Sequence, residues 1–365
     1  MVIPVNLGPK SYSIVVEPGA LASAGTRLRQ LGVGERMVVV SDAVIMRLHG
    51  ATVVKGLEAA GFTVTTLEVP EGEEAKTLRV ASECWDRLLG AGADRSSTVL
   101  ALGGGAVGDL AGFVAAAYMR GMNFVQLPTT VLAQVDASIG GKTAIDHPRA
   151  KNLIGAFHQP RLVVVDPSVV RTLPDREFRS GLAEIVKHGI VLDADYFDDV
   201  ERSAAALLDR DLETLARIIG GSCRLKAGVI ERDPEEKGEL RYALNAGHTI
   251  GHALEAVTGF TAWTHGEAVA LGLVAEAHIA ERLGLATTAT TRRQESLLAA
   301  VGLPVRAATV DAEAVLKAIS HDKKARDGRV PFVLAPTIGR FRVVHDVSAD
   351  DVRAALVALR GGPAR

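Results

Sequence analysis

Short apolar runs alternate with stretches of helical period over the first half of the chain. The apolar runs are rich in valine and leucine and predict the strands Ser13–Val16, Met37–Val40, Thr63–Val69, Thr98–Leu102, Phe124–Leu127 and Leu162–Val165. The helical period between them predicts the helices Leu21–Leu31, Val44–Ala60, Ala75–Gly90 and Asp109–Ala117. Strands that alternate with helices of this length indicate a parallel sheet covered on both faces.

After Leu173-Pro174 the pattern becomes almost wholly helical. The apolar period there predicts the helices Gly181–Ile190, Leu212–Glu231, Ala246–Val257, Gly266–Leu283 and Ala312–Ser320. Near the end of the chain, Pro331–Leu334 and Phe341–Val344 predict a short pair of strands. We therefore expect an α/β domain over residues 1–170 and a mainly helical domain over residues 171–365, since 365 residues suffice for two separate cores.

The composition excludes several classes of function. The content of 48% hydrophobic and 23% charged residues is ordinary for a globular protein, and a net charge of −2 favours neither nucleic acid nor an anionic membrane as a partner. Cys84 and Cys223 lie too far apart for a metal or redox motif, which favours a reducing compartment. We find no signal-peptide pattern and no apolar run of about 20 residues. We expect a cytoplasmic protein that acts on a small molecule.

A glycine-rich turn follows the apolar run at Thr98–Leu102. Gly103, Gly105 and Gly108 fit the pattern G-x-G-x-x-G, with a buried strand before them and a helix expected over Leu110–Tyr118. Such a turn lets the backbone approach a pyrophosphate at a helix N-terminus, although a turn of this kind can also serve only to pack a helix closely on a sheet. The acid that usually ends the next strand is replaced by Pro128-Thr129-Thr130, so the site is not an ordinary Rossmann site.

Metal-compatible side chains are spread over the second half of the chain. His248 and His252 are four residues apart and share one face of a helix, His265 begins the next helix, and Glu184 lies on an earlier one. Ligands from separate helices with an open position are typical of a catalytic zinc site. The pair is not that of a zincin peptidase, because Thr249 stands where glutamate is required. Spacing alone leaves open that these are ordinary core or surface histidines.

A third set of residues is cationic. Gly140-Gly141-Lys142-Thr143 resembles the end of a phosphate-binding loop, but Val135 replaces the upstream glycine and excludes a Walker A motif. Most cationic side chains in a chain of this size are solvated. A smaller set is singled out by the residues next to it in the sequence, and we take this set as candidates for binding an anion. The candidates are Arg120, Lys142, Lys151, Lys187, Lys226, Arg241, Lys323 and Lys324.

Longer motifs connect these three sets. In order, they are G-G-G-A-V-G-D-L-A-G-F, Y-M-R-G, P-T-T-V-L-A-Q-V-D-A-S-I-G-G-K-T, K-N-L-I-G-A-F-H-Q-P, L-P-D-R-E-F-R-S-G-L-A-E-I-V-K, N-A-G-H-T-I-G-H-A-L-E, H-G-E-A-V and H-D-K-K. This ordered set, from about Glu71 to Lys324, resembles the 3-dehydroquinate synthases of the shikimate pathway. The resemblance implies an atypical Rossmann-like NAD domain followed by a mainly helical metal-binding domain.

The resemblance also implies a reaction. The substrate is 3-deoxy-D-arabino-heptulosonate 7-phosphate, and the products are 3-dehydroquinate and phosphate. NAD removes a hydride from C5 and returns it later. The C5 ketone acidifies the C6 hydrogen, so phosphate leaves by β-elimination before re-reduction, ring opening and an aldol closure. The family uses the substrate's own phosphate as the base and a divalent metal, zinc or cobalt, at the C4 and C5 oxygens.

Position by position, the resemblance implies three sets of site residues. The metal ligands are Glu184, His248 and His265. The NAD contacts are Asp42, Glu71, Gly72, Glu73, Glu74, Ala75, Lys76, Gly103, Gly104, Gly105, Ala106, Val107, Gly108, Asp109, Thr129, Thr130, Asp136, Lys142, Lys151, Val169, Val170, Arg171 and Thr172. The catalytic and substrate-binding residues are Arg120, Lys142, Lys151, Asn152, Lys187, Lys226, Arg241, Asn245, His252 and one of Lys323 or Lys324, of which Lys324 is taken as the candidate.

Two further expectations come from the resemblance. His252 is suited to move the proton of the C5 hydroxyl. A homodimer is expected, with Arg120 serving the site of the neighbouring subunit. Between Asp233 and Arg241 the chain is one residue longer than the family pattern, so the acid expected there can be Glu235 or Glu236.

Three alternatives remain. Other sugar-phosphate cyclases share the metal set, but Asn245, His252 and the Lys151-Asn152 pair favour the dehydroquinate product. Metal-dependent alcohol and glycerol dehydrogenases would release NADH and would not need so many cations. A regulator that binds NAD without catalysis is disfavoured, because the set of site residues is complete.

Overall fold

The computed structural model describes residues 1–320 and 330–361 of the chain. It divides into two compact units, Met1–Leu173 with Lys226–Glu235 and Pro174–Leu225 with Glu236–Arg365. The first unit is therefore discontinuous in sequence. Within the described ranges, no helix has the length and apolar character needed to cross a bilayer.

The first unit is built on a mostly parallel sheet. The strands of the unit are β1 (Val2–Val5), β2 (Tyr12–Val16), β3 (Arg36–Asp42), β4 (Thr63–Val69), β5 (Thr98–Gly103), β6 (Asn123–Pro128), β7 (Lys142–His147), β8 (Ala150–Phe157) and β9 (Leu162–Val165). Seven of them form one sheet in the order β1-β2-β9-β6-β5-β3-β4. All neighbours in it are parallel except β1 and β2, so the predicted parallel sheet is confirmed, with an antiparallel edge that was not predicted.

The strands at the centre of the sheet are apolar on both faces. Successive residues Met37, Val38, Val39 and Val40 of β3 are all fully buried, although their side chains alternate between the two faces. Helices on both sides of a parallel sheet demand such continuous apolar runs. The edge strand β4 instead alternates exposed and buried positions towards its end. The edge strand was nevertheless predicted with its exact bounds, Thr63–Val69.

All four predicted helices of the first unit depart from their predicted bounds, and those predicted from Leu21 and Ala75 begin three residues later, at Ala24 and Leu78. The helices are α1 (Ala24–Gln30), α2 (Ala43–Ile45), α3 (Ala51–Ala59), α4 (Leu78–Gly90) and α5 (Gly105–Ala117). A π-helical turn at Met46–Gly50 interrupts the single helix predicted over Val44–Ala60. Helix α5 begins at Gly105 and not near Asp109, because packing against the sheet outweighs the low helix propensity of glycine.

The antiparallel hairpin of β7 and β8 was not predicted. Nearly every residue of β8 is exposed, including Leu153, Ile154 and Phe157, so β8 lacks the alternation by which a half-buried strand is found. In β7 only Thr143 and Ile145 are buried. Its first residues, Lys142-Thr143, were interpreted as resembling the end of a phosphate-binding loop.

The second unit is mainly helical, as predicted. It contains α6 (Asp175–Leu192), α7 (Ala194–Leu208), α8 (Leu212–Arg232), α9 (His248–Val257), α10 (His265–Arg282), α11 (Thr288–Ala300), α12 (Ala312–Ser320) and α13 (Ala349–Leu359), with the antiparallel strands β10 (Phe332–Thr337) and β11 (Arg340–Val344). Helix α8 begins in this unit, and its residues from Lys226 onwards are counted with the first. Helices α7, α11 and α13 were not predicted.

Helix α10 lies at the centre of the second unit. It is buried on nearly every side and packs against α6, α9, α11, α13 and β10. A helix that is apolar all round belongs in a core. Its first residue, His265, is held by a capping box between Thr264 and Glu267. The core of the unit therefore fixes the position of a candidate ligand.

Candidate active site

Three polar side chains from three helices meet in the second unit. Glu184 lies on α6, and His248 and His265 are the first residues of α9 and α10. Their donor atoms all lie within 4.8 Å of one another. Nε2 of His248 and Nε2 of His265 are 3.6 and 3.8 Å from Oε1 of Glu184. The residues predicted as metal ligands are thus brought together by the fold.

The state of Glu184 is consistent with a metal site. Its side chain is fully buried, and Oε1 accepts no hydrogen bond from the described residues. A buried carboxylate oxygen without a hydrogen bond is costly unless a cation compensates it. One carboxylate and two imidazoles form a donor set typical of zinc and related divalent metals. The residues present therefore fit a divalent metal.

Two glycines let the three helices approach to backbone contact. A Cβ on Gly266 would lie 1.8 Å from the carbonyl oxygen of Ser180 on α6. A Cβ on Gly272 would lie 1.9 Å from the carbonyl oxygen of Gly247, the residue before α9. Neither position can hold a side chain without separating α10 from its neighbours. Gly266, which follows His265, and Gly272 on the same helix are therefore required by packing.

Each of the two candidate histidines is held by a group on the side of its ring that faces away from Glu184. The Nδ1–H of His248 donates to the carbonyl oxygen of Ala246 at 3.0 Å, and Nδ1 of His265 is 3.4 Å from Oε1 of Glu255. Burial lowers the pKa of His265, but Glu255 and Glu184 outweigh this and hold that pKa above its usual value. In both rings Nε2 is left facing Glu184.

Lys187 is the buried cation of this group. It is ion-paired with Glu184 one turn earlier on α6, and its Nζ donates to the carbonyl oxygen of Leu244 at 2.6 Å. A fully buried ammonium needs such partners. Lys187 therefore ties the carboxylate to the turn that precedes α9.

That turn carries two more predicted residues. Arg241 and Asn245 lie in the 3-10 turn Leu240–Asn245, where Arg241 is buried and Asn245 half-buried. His252 follows one helical turn after His248, with the two rings 5.2 Å apart, and its side chain is exposed. Exposure beside a buried donor set suits a group that exchanges protons.

In the first unit, the predicted NAD segments follow the carboxyl ends of parallel strands. Asp42 ends β3, Gly103 ends β5, and Thr129 comes directly after β6. The segments Glu71–Lys76 and Val169–Thr172 follow β4 and β9. Because these strands are parallel, all five segments lie along one edge of the sheet.

The chain order reverses at that edge. Strand β3 is followed by β4 on one side, whereas β5 is followed by β6 on the other. The reversal lies between β3 and β5, which end at Asp42 and Gly103. Open parallel sheets bind their ligands at such a point. The geometry of this edge therefore suits a dinucleotide.

The glycines of the turn serve close approach and not unusual dihedral angles. Gly104 caps α5, and none of Gly103, Gly104, Gly105 or Gly108 has a positive φ. A Cβ on Gly108 would lie 2.9 Å from the amide oxygen of Gln126, so this glycine packs α5 on β6. A Cβ on Gly105 would meet only Ala137 at 3.3 Å, which leaves the helix N-terminus accessible.

Lys76 organises a group of charged residues beside the turn. Its buried Nζ donates to Oδ2 of Asp109 at 2.8 Å and to the side chain of Asn152. Burial raises the pKa of Asp109 to about 6, an effect that Lys76 only partly offsets. Burial also raises the pKa of Glu73, whose carboxylate is 3.6 Å from Nζ of Lys151. Predicted cofactor and substrate residues thus adjoin each other here.

Lys226 and Asp136 form a second pair in this unit. The Nζ of Lys226 donates to the carbonyl oxygen of Asp136 at 2.6 Å and to its carboxylate at 2.5 Å. Lys142 is exposed at the start of β7. The remaining residues predicted to contact NAD lie in the segments that follow β4, β5, β6 and β9. They are Glu71, Gly72, Glu74, Ala75, Gly104, Ala106, Val107, Thr130, Val169, Val170, Arg171 and Thr172.

Arg120 stands apart from the glycine turn. It lies exposed at the opposite end of α5, about 20 Å along the helix from Gly105. Arg120 and the preceding Met119 both have positive φ angles, of 65° and 49°. In this unit, therefore, Arg120 is not brought to the glycine turn.

Lys323 and Lys324 lie outside the described residues. Glu235 and Glu236 are both exposed, and Glu236 has a φ of 58°.

Two acids near the site were missed by sequence reasoning. Glu255 faces His265, and Oδ1 of Asp146 accepts the backbone N–H of Asn152 at 2.7 Å. Asn152 has a φ of 54°, so this bond fixes an unusual backbone. The signal for Glu255 was its spacing of seven residues from His248, which places both on one helix face.

Family models and curated relatives cover most of the chain. Residues 66–180 match the model described as 3-dehydroquinate synthase N-terminal, and residues 181–325 match the model described as 3-dehydroquinate synthase C-terminal. A 3-dehydroquinate synthase of Microcystis aeruginosa is 46% identical over 362 residues, 99% of each chain. One of Geobacter metallireducens is 48% identical over 341 residues, 93% of this chain and 94% of the other.

Solved structures share the fold. The 2-epi-5-epi-valiolone synthase of Streptomyces hygroscopicus, with NAD+ and Zn2+ bound, has a TM-score of 0.88 at 29% identity over 96% of this chain and 97% of its own. A 2-deoxy-scyllo-inosose synthase complexed with carbaglucose-6-phosphate, NAD+ and Co2+ has a TM-score of 0.86 at 24% identity, covering 99% and 100%. A probable glycerol dehydrogenase from Sinorhizobium meliloti has a TM-score of 0.67 at 17%, covering 95% and 96%. The last two show likeness of fold alone.

Proposed function

The chain belongs to the 3-dehydroquinate synthase family, and from this premise we propose that it converts 3-deoxy-D-arabino-heptulosonate 7-phosphate into 3-dehydroquinate and inorganic phosphate. This is a carbon–oxygen lyase reaction on a phosphate, within the shikimate pathway of aromatic amino acid biosynthesis. The observation that carries it is the convergence of Glu184, His248 and His265 in a chain related along nearly its full length to such enzymes.

We assign one divalent metal, zinc or cobalt, to Glu184, His248 and His265. Three protein ligands leave a coordination position for substrate oxygens, as in catalytic metal sites. Together, the bound NAD and metal supply hydride transfer and polarisation of the substrate oxygens. The ion pair of Glu184 with Lys187 helps to hold the carboxylate where its other oxygen faces the histidines.

We assign NAD to the carboxyl edge of the sheet. The free backbone N–H groups at the start of α5 and the positive end of its dipole suit the pyrophosphate. Asp42, Thr129 and the segments Glu71–Lys76 and Val169–Thr172 flank this position. The solved 2-epi-5-epi-valiolone synthase with NAD+ and Zn2+ supports both assignments.

We assign the cations and their amide neighbours to the doubly anionic substrate. The assigned residues are Lys142, Lys151, Asn152, Lys187, Lys226, Arg241 and Asn245, with Lys324 as a candidate for the phosphate. Carboxylate and phosphate groups are bound best by charge-assisted hydrogen bonds. His252, exposed beside His248, is assigned to move the proton of the reacting hydroxyl.

The domain bounds of 1–170 and 171–365, a homodimer and a cytoplasmic location belong to the same proposal. A homodimer is supported by the exposed side chains of Leu153, Ile154 and Phe157 on β8, since such patches mark interfaces. It also gives Arg120 a role in the partner's site, which its distance from the glycine turn otherwise leaves unexplained. The small-molecule substrate follows from the family itself.

Two other reactions compete with this one. A different sugar-phosphate cyclase would form another carbocycle from a substrate without a carboxylate, but the solved example is 29% identical, against 46% for a curated 3-dehydroquinate synthase. A metal-dependent alcohol dehydrogenase would release NADH. The likeness to a glycerol dehydrogenase is one of fold.

One assay separates the three. The purified protein is given NAD, zinc and the heptulosonate phosphate, and the release of phosphate is measured together with NADH absorbance. We expect phosphate at many turnovers per chain with no net NADH. Stoichiometric NADH from simple alcohols would establish the dehydrogenase instead. Turnover of heptulose 7-phosphates that lack the carboxylate, in preference to the proposed substrate, would establish another cyclase.

A further inference from the structure

The ring of His265 faces a carboxylate on each side. Its Nε2 is 3.8 Å from Oε1 of Glu184, and its Nδ1 is 3.4 Å from Oε1 of Glu255. The side chain of Glu255 is only 12% exposed. It lies on α9, three residues after His252, whereas His265 begins α10.

A histidine binds a metal through a nitrogen that carries no proton. The proton of a neutral ring must then lie on the other nitrogen, and an acceptor beside that nitrogen fixes both tautomer and ring orientation. His248 has such an acceptor in the carbonyl oxygen of Ala246, 3.0 Å from Nδ1. For His265 the acceptor within reach of Nδ1 is the carboxylate of Glu255.

We propose that Glu255 is the positioning residue of His265: it accepts the Nδ1–H of the ring and so directs the Nε2 lone pair to the metal. The proposal rests on the assignment of the metal to Glu184, His248 and His265. A carboxylate acceptor also makes the ring a stronger electron donor than a carbonyl does. The two histidines are therefore held differently, one by the main chain and one by a side chain that can be replaced.

The position of Glu255 explains why a side chain is needed here. His248 follows the turn that contains Ala246, so its own chain supplies the acceptor. His265 begins α10 directly after its cap, Thr264, and the acceptor has to come from a neighbouring helix. Helix α9 supplies it one turn beyond His252. Glu255 thereby also connects the helices that carry two of the ligands.

A direct ligand role for Glu255 is the rival. Donor atoms of His252, Glu255 and His265 also lie within 4.8 Å of one another. This set would use Nδ1 of His265 and the exposed ring of His252. The set around Glu184 is more buried and includes a carboxylate oxygen that lacks a hydrogen bond among the described residues. The geometry therefore favours Glu255 as the outer group.

The test measures metal affinity in addition to turnover. Glu255→Ala and Glu255→Gln are compared with the parent by competition for zinc with a chromogenic chelator. We expect Glu255→Ala to bind zinc about 10- to 100-fold more weakly, the range seen for such outer groups. Glu255→Gln keeps an acceptor for Nδ1–H without the charge and should fall between the two. Glu213→Ala, which removes an exposed acid on α8, should bind zinc like the parent.

The absorption spectrum of the cobalt-loaded protein distinguishes the two roles. An outer group leaves the inner ligands unchanged, so Glu255→Gln should keep the band pattern of the parent, whereas loss of a direct ligand would change it and overturn the proposal. Parental zinc affinity in Glu255→Ala would also overturn it. His248→Ala keeps the underlying site assignment separate. Zinc retained in that variant refutes the site, and zinc lost there but not in Glu255→Ala refutes only the positioning role.

Discussion

At the scale of single residues, the proposed metal site is built around Glu184, a fully buried carboxylate. Its partners are Lys187 and the two histidines that face Oε1. The environment that makes this group costly without a cation also keeps competing water away. Each ligand can therefore be tested by the metal content of the purified protein.

His248→Ala and His265→Ala should lower bound zinc to well below one per chain and abolish turnover. Either change removes one of three protein donors, and the buried Glu184 carboxylate cannot compensate for it. Metal content by elemental analysis and the phosphate-release assay check this. His278→Ala is the matched control, because His278 lies further along α10 and pairs there with Glu295 of α11. Full zinc occupancy in both ligand variants would remove the assignment.

Arg241→Ala should weaken productive substrate binding by about one to two orders of magnitude, since charge-assisted hydrogen bonds contribute about 1.5–3 kcal/mol each. Its metal and NAD content should stay unchanged. Steady-state kinetics on the heptulosonate phosphate measure the effect. Arg241 is buried, so Arg241→Lys tests whether a cation alone restores binding, and Arg224→Ala removes an exposed arginine as control. Parental kinetics in Arg241→Ala would exclude it from the site.

The raised pKa of Asp109 predicts a pH dependence of stability. Its pKa is about 6, against an ordinary value near 4, so in this interval the folded protein binds more protons than the unfolded chain. The free energy of unfolding should therefore fall as pH rises from about 4 to 6. Asp109→Asn lacks this contribution and should show a shallower fall in urea denaturation across that range.

The ion pair between Asp109 and Lys76 does not complicate the comparison of the two pH dependences. Lys76 has a raised pKa and stays protonated throughout, so it adds no slope of its own between about pH 4 and 6, and the difference in slope between the parent and Asp109→Asn reports the titration of Asp109. Asp86→Asn, an exposed change on α4, should keep the parental slope. Equal slopes for Asp109→Asn and the parent would contradict the shift.

At the scale of elements, the start of α5 is the feature that binding of NAD should require. Gly105→Val should lower NAD affinity at least about tenfold, because the new side chain occupies the space in front of the helix N-terminus. Only Ala137 lies near the added Cβ, at 3.3 Å, so the fold should survive. Calorimetry measures the affinity and thermal unfolding the fold. Gly90→Ala on α4, where a Cβ meets nothing within 4 Å, is the control. Parental NAD affinity in Gly105→Val would refute the role of this turn.

The elements differ in how well the sequence predicted them, for physical reasons. Strands β3, β5 and β9 are buried on both faces, and their continuous apolar runs were found almost to the residue. The hairpin of β7 and β8 is mostly exposed and carries cations, so no pattern of burial marked it. Helix α11 was missed because threonines and charged residues fill most of its turns.

The site shows the same division. Glu184, His248 and His265 were named from motifs, and the fold brings them together. Glu255 was missed because a glutamate on a helix is usually solvated, and only the approach of α10 turns it into a neighbour of His265. The spacing of seven residues from His248 places Glu255 on the same face of α9, but the local sequence does not show that α10 packs against that face. Glycines such as Gly266 and Gly272 are the indirect trace of that packing.

At the scale of the whole molecule, Arg120 makes the proposed dimer testable. Arg120→Ala and His248→Ala should each be inactive alone. If Arg120 serves the partner's site, mixed dimers contain one complete site, formed by the metal ligands of one subunit and Arg120 of the other. Random exchange makes half of the dimers mixed with one of two sites complete, so activity should recover to about a quarter of the parental value.

Three samples accompany this experiment. The first is a mixture of Arg120→Ala with Arg241→Ala, the second is Arg120→Ala alone, and the third is each variant refolded separately. The first mixture should also regain activity, whereas the separate variants should not. No recovery in mixtures shown to contain mixed dimers would place Arg120 outside the partner's site. A monomer in sedimentation experiments would refute the dimer itself.

The discontinuity of the first unit has a consequence for synthesis. Lys226, paired with Asp136, and Glu231, which accepts from the backbone and side chain of Asn6 at 2.6 and 2.7 Å, both lie near the end of α8. A ribosome makes Asn6 first and Glu231 much later. The contacts of the first unit with Lys226 and Glu231 therefore form only after α6, α7 and most of α8 have been synthesised. A nascent chain stalled at Leu173 therefore carries a first unit without these contacts, and they form only when a segment translated after the start of the second unit has been made.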